Sequence, residues 1–133
     1  MARPASRHPT DAELEILNIL WSKGGGTLRE VHDALQPLRD TGLTTTLKTL
    51  QIMTAKGLVA RDRSGFPSRY TAAVREEATR TGMLRGLVRK VFGGSTRKML
   101  VRAVQERGLS DEDLKELRRL IDGVRRQRRG SKR

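Results

Sequence analysis

Apolar positions in the first part of the chain recur at helical spacing, and Thr-x-x-Glu pairs mark where helices begin. Thr10-Asp11-Ala12-Glu13 has the form of a capping box, in which the Thr and Glu side chains each accept from the other residue's backbone N–H. Leu14, Ile16, Leu17, Ile19, Leu20 and Trp21 follow, predicting a first helix from about Asp11 to Ser22. Gly24-Gly25-Gly26 stops it and reads as an inter-helix turn. A second capping box, Thr27-Leu28-Arg29-Glu30, opens a helix with Leu28, Val31 and Leu35 on one face, and Pro37 ends it. A third helix is predicted from about Thr44 to Lys56. Leu47, Leu50 and Met53 form its inward face, and Gly57 is its left-handed stop.

The pattern then changes. Leu58 to Arg63 reads as a strand, Ser64-Gly65-Phe66-Pro67-Ser68 as a turn, and Arg69-Tyr70-Thr71-Ala72 as the returning strand. Three short helices followed by a hairpin is the winged-helix arrangement. After Val74 the helical period returns. A fourth helix, about Arg75 to Phe92, carries Leu84, Leu87, Val88 and Val91, with Gly82 and Gly86 placed for close packing against another helix. Ser95 caps a fifth helix that Gly108 closes. Ser110-Asp111-Glu112-Asp113 starts a sixth, where Leu114, Leu117, Ile121 and Val124 make a two-heptad seam. Helices this short are marginal alone in water, so these three need one another or a second subunit.

The expected fold class is therefore mainly α with a small β-hairpin wing: a winged helix-turn-helix domain followed by a three-helix dimerisation domain. The expected division is a flexible arm at 1–9, a winged-helix domain at 10–74, a helical dimerisation domain at 75–124 and a basic disordered tail at 125–133. The dimer seam is assigned to Leu84, Leu87, Val91, Leu114, Leu117, Ile121 and Val124.

Composition sharpens this picture. The 133 residues hold 28 Lys plus Arg against 15 Asp plus Glu, a formal charge of +13. Residues 1–74 carry ten basic and seven acidic side chains, net +3, while residues 75–133 carry eighteen and eight, net +10. The excess points to a polyanionic partner, most often nucleic acid, but it describes chiefly the second half. With no cysteine, disulfides, thiolate metal sites and Cys nucleophiles are excluded. No apolar run approaches a membrane span, and Met1 to Asp11 is polar, unlike a signal peptide, so a cytoplasmic protein is expected.

In a helix-turn-helix, the second helix of the pair enters the DNA major groove by its N-terminal half. Here its outward face presents Thr44, Thr45, Lys48, Thr49 and Ile52. Threonine hydroxyls serve base edges or phosphates, threonine methyls meet the thymine methyl group, and Lys48 suits guanine O6/N7 or a phosphate. Free N–H groups near Leu43 and Thr44 suit a phosphate. Arg61, Arg63 and Arg69 in the hairpin are candidates for phosphate or minor-groove contacts, which position a domain without reading sequence. The candidate DNA-binding set is thus Thr44, Thr45, Lys48, Thr49, Arg61, Arg63 and Arg69.

The segments Thr10 to Trp21 and Thr27 to His32 resemble the opening signature of the penicillinase-repressor family, the BlaI/MecI/CopY group of winged-helix transcriptional repressors. Thr44 to Val59 is similar to that family's recognition helix and wing entry, and Phe92-Gly93-Gly94-Ser95 and Leu109 to Leu117 to its dimerisation segment. The resemblance implies a homodimeric repressor on a dyad-symmetric promoter operator in double-stranded DNA, commonly of the TACA/TGTA type. Carried over by position, its recognition contacts fall on Thr44, Thr45, Lys48 and Thr49. Three departures stand out. Ile52 occupies a position where the family often has Arg. The C-terminal cysteines of its copper-responsive members are absent. In its antibiotic-responsive members a membrane sensor-protease cuts an Asn–Phe bond in the fifth helix, and the matching bond here is Arg102–Ala103.

Two other classes compete. An enzyme is disfavoured: His8 lies in the arm and His32 mid-helix, both read as surface residues without motif partners, and the glycine triplet lacks the Gly-Lys-Ser/Thr of a phosphate loop. No cofactor or metal is expected. The alternative is a non-specific basic nucleic-acid or anionic-surface binder driven by the C-terminal tail. Against it, the stacking aromatics such a binder uses on single strands are limited to Trp21, Phe66, Tyr70 and Phe92. Trp21 is itself better read as core.

Overall fold

The computed structural model describes residues 8–131, which contain six helices and three strands. The expected arm at 1–9 lies mostly outside the described residues, as do residues 132 and 133 at the end of the expected tail. Two compact units meet within the fourth helix, between Gly86 and Leu87.

In the first unit, α1 (Asp11–Lys23) starts at Thr10 with both halves of the capping box formed: Glu13 N–H donates to Thr10 Oγ1 at 3.2 Å and Thr10 N–H to Glu13 Oε1 at 2.9 Å. It ends on Gly24, left-handed at φ 76°. The second box is equally complete at Thr27 and Glu30, opening α2 (Leu28–Leu35). The third helix, α3 (Leu43–Lys56), begins at Gly42 with no side-chain cap and stops at Gly57.

The glycine triplet is more than a turn. Gly26 and Thr27 form a short strand, β1, which pairs antiparallel with β3 (Arg69–Ala72). On its other side β3 pairs with β2 (Val59–Asp62), giving the order β1-β3-β2 with Arg61 opposite Tyr70 and Asp62 opposite Arg69. A side chain at Gly25 would meet the Tyr70 carbonyl oxygen at 3.2 Å, so this glycine permits the strand's approach as well as supplying a positive φ. A winged helix results: three helices and a three-stranded antiparallel sheet.

Its core is aliphatic. Ile16, Leu17, Leu20, Val31, Leu35, Leu50, Met53, Leu58 and Val59 are buried together with the Tyr70 ring. Trp21 packs against this cluster, as expected, and its Nε1–H donates to the Val74 carbonyl at 3.0 Å, tying the chain beyond the wing to α1. His8 and Pro9 belong to the packed body rather than to a loose arm: Pro9 is buried and the His8 ring lies against Gly82 and Gly86. Those glycines in α4 (Glu76–Val91) accommodate a ring from the N-terminal segment, not a neighbouring helix.

Beyond Gly86 the helices carry their apolar residues largely outward. Ser95 caps α5 (Thr96–Gln105) through the Lys98 N–H, and Ser110 and Asp113 cap each other at the start of α6 (Asp111–Ser131). Neither α5 nor α6 has a buried residue. The sixth helix runs on through residues 125–131, where the sequence pattern suggested a disordered tail. Arg and Gln are good helix formers, and after Val124 only Gly130 is a poor one before Ser131.

Candidate nucleic-acid interface

The third helix is held at three points. Its last turn is fixed by Lys56, whose Nζ lies 3.0 and 2.9 Å from the two carboxylate oxygens of Glu13 on α1. Burial pushes the Glu13 carboxyl up, but the Thr10 N–H and the Lys56 ammonium outweigh it, leaving Glu13 below the usual carboxylate range. Its first turn is fixed by a polar clamp. The Thr46 hydroxyl lies 3.1 Å from His32 Nδ1 and 3.3 Å from the Gly42 carbonyl, while Gln36 Nε2 donates to the Thr41 carbonyl at 2.8 Å. The segment joining α2 to α3 is braced by Arg39, which grips both carboxylate oxygens of Glu15 at 3.2 Å.

This bracing sets the rotation of α3. Thr46, Leu50 and Met53 face the core, displacing Leu47 from the inward role its spacing suggested. Leu47 is half-buried and, with Leu28, Leu43, Phe66 and Tyr70, lines an apolar groove beside the wing. His32 is correspondingly a structural partner of Thr46 and not a plain surface residue. The clamp joins residues fourteen apart in sequence, and the one signal for it is His32 and Gln36 sharing a face of α2 at i, i+4.

Thr44, Thr45 and Lys48 stand exposed on the opposite side, together with Gln51 and Ile52. Thr49 is half-buried, and its hydroxyl donates to the Thr45 carbonyl at 2.9 Å. Because Gly42 offers no side chain, the start of α3 has no side-chain cap bond among the described residues, unlike those of α1 and α2.

The hairpin divides the three candidate arginines. Arg61 and Arg63 share one face of β2 and line a surface depression with Gln51, Thr54 and Ala55 of α3, extending its exposed side with positive charge. Arg69 is placed elsewhere: its guanidinium lies 3.4 Å from Glu30 Oε1, at the start of α2. Glu30 is itself held below the usual carboxylate range, first by the Thr27 N–H and hydroxyl and further by Arg69. At the wing, Asp62 accepts from the Ser64 N–H at 2.9 Å, and this bond lowers its pKa. The Phe66 side chain is wholly exposed at the tip. Arg29, exposed at the start of α2, also borders the apolar groove; its place within a capping box hid it as a candidate.

The chain as a whole has clear relatives. It is 33% identical over 105 residues to the transcriptional regulator BlaI of Mycobacterium tuberculosis, covering 77% of this chain and 76% of that protein. It is 23% identical over 113 residues to the methicillin resistance regulatory protein MecI of Mammaliicoccus sciuri, covering 85% and 92%. A solution structure of the DNA binding domain of the repressor BlaI aligns with a TM-score of 0.48 at 24% identity, covering 57% of this chain and 90% of that one. The family model described as penicillinase repressor matches residues 9–123, from the segment before the first capping box almost to the end of the α6 seam, and the chain belongs to that family.

Proposed function

We propose that this protein is a homodimeric transcriptional repressor that places α3 in the major groove of a dyad-symmetric operator. Thr44, Thr45, Lys48 and Thr49 read base edges or set the helix on the backbone, while Arg61 and Arg63 hold flanking phosphates. The observation that carries this reading is the fixed rotation of α3. Buried Thr46, Leu50 and Met53 leave the threonine and lysine row outward, beside the two wing arginines.

Dimerisation is supported by the apolar positions of α4 and α6. Leu84, Leu87, Val91, Leu114, Ile121 and Val124 are between 42 and 64% exposed, and Leu117 is half-buried. A second copy covering these positions would remove them from water and make DNA binding bivalent. Each half-site contact can then be weak, because the second is effectively intramolecular. Opening or cutting α5 or α6 releases both half-sites together. The family resemblance points to a membrane sensor-protease acting at α5, where Arg102 and Ala103 are exposed.

Selection of duplexes from a random pool by the full chain tests the reading. The expected result is an inverted repeat with half-sites about one helical turn apart, or a multiple of it. Lys48→Ala relaxes base preference at one position of each half-site if Lys48 reads a base, and lowers only the salt dependence if it meets phosphate. Recovery of sequences without any shared repeat refutes the reading.

A further inference from the structure

The continuation of α6 to Ser131 turns what the sequence offered as a basic tail into a shaped surface. At 3.6 residues per turn, Lys115, Arg118, Arg119, Arg125, Arg126 and Arg129 fall within an arc of about 120°, and the stripe is about 21 Å long. Leu114, Leu117, Ile121 and Val124 occupy a separate arc centred about 120° away. Arg119, Arg125, Arg126 and Arg129 line one surface depression, with Asp122 the single carboxylate among them. All six basic side chains of the stripe are exposed. Arg119 pairs with Glu116 at 3.5 Å; among the described residues, Arg118, Arg125, Arg126 and Arg129 make no ion pair.

We propose that this stripe is a second DNA-binding surface, which takes the phosphate backbone of duplex DNA without reading sequence. The inference rests on the duplex-binding role given above for α3, to which a contact made by α6 of the same chain would add. The chemistry of α6 favours duplex over other polyanions. It has no aromatic side chain on which single-stranded bases could stack, and its apolar arc is aliphatic, lacking the Trp or Phe of a helix that lies in a membrane surface. A row of guanidinium groups along a rigid helix suits evenly spaced phosphates, and Lys115, Arg119 and Arg126 lie about 100° or more from the nearest residue of the apolar arc, so they stay open when that arc is covered by a second subunit.

Salt titration of binding by the full chain tests this. Three proteins are compared: the parent, a variant with Arg118→Gln, Arg125→Gln, Arg126→Gln and Arg129→Gln, and one with Lys at the same four positions. Gln and Lys both keep helix propensity close to that of Arg. Each is titrated on a 40-base-pair duplex recovered by selection and on its scrambled counterpart. The slope of log affinity against log salt should fall by about 3.6 per protomer in the Gln variant on both duplexes, with the ratio between duplexes unchanged, and the Lys variant should keep the parent slope. An unchanged slope in the Gln variant overturns the proposal. So does an equal loss in the Lys variant, which would trace the effect to the fold of α6 and not to its charge. Loss of binding to phosphatidylserine vesicles or to single-stranded RNA, with the duplex slope unaltered, also overturns it in favour of that partner. A parent that does not distinguish the two duplexes, with the slope still falling in the Gln variant, counts against the role of α3 and leaves the stripe standing.

Discussion

The carboxylate of Glu13, almost wholly buried, lies 2.9 Å from Lys56 Nζ and joins the first turn of α1 to the last turn of α3. A buried pair of this kind is costly to break from one side, because the remaining charge loses its partner but stays out of water. Lys56→Met should therefore destabilise the fold by about 2 kcal/mol, less than the 3–5 typical of a fully buried pair because Lys56 keeps partial access to water. Chemical denaturation measures it.

The same pair sets a pH dependence. The pKa of Glu13 is lowered in the folded state, so its contribution is complete above the unfolded value of about 4.5 and is lost as pH falls through the folded value. The gap in thermal midpoint between the parent and Glu13→Gln should be widest near neutral pH and should close as pH falls below the unfolded value of about 4.5 and through the lower folded one. A gap that stays constant as the carboxylate is protonated would show that its ionised form contributes nothing.

Thr46 transmits the position of α2 to α3. Thr46→Val keeps the shape of the side chain but removes the hydroxyl that meets His32 and the Gly42 carbonyl. The expected cost is about 1–2 kcal/mol of stability. Duplex affinity should fall further than the unfolded fraction accounts for, because the first turn of α3 loses its brace. Equal affinity per folded molecule would remove the clamp from the binding mechanism.

The wing arginines should separate by their partners. Arg61→Gln and Arg63→Gln are each expected to lower the salt slope of duplex binding by about one per protomer. Arg69→Gln should change it less, since its charge is already matched by Glu30. Three equal slopes would contradict the division of the hairpin into two faces.

Much of the winged helix is legible in the sequence because its punctuation is local. The boxes at Thr10/Glu13 and Thr27/Glu30, and the left-handed Gly57, act within three or four residues and are read directly. What was not legible depends on distant partners. Strand β1 is two residues long and exists only because β3 passes Gly25 closely. The exchange of Leu47 for Thr46 on the inner face depends on His32, and the direction of Arg69 on the register that sets it opposite Thr27. For α6, the apolar seam ends at Val124 whereas helix propensity continues through the arginines, and propensity was the better guide to its length.

Sedimentation of the protein bound to its selected duplex, beside an Ile121→Asp variant, addresses the account most directly. A single complex of two protomers per duplex is predicted for the parent, with no stable complex of one. Ile121→Asp, which sets a charge in the apolar arc of α6, should sediment as a monomer and bind at least a hundredfold more weakly, within the range avidity supplies. One protomer per duplex for the parent, or dimeric and undiminished binding by Ile121→Asp, would contradict the account.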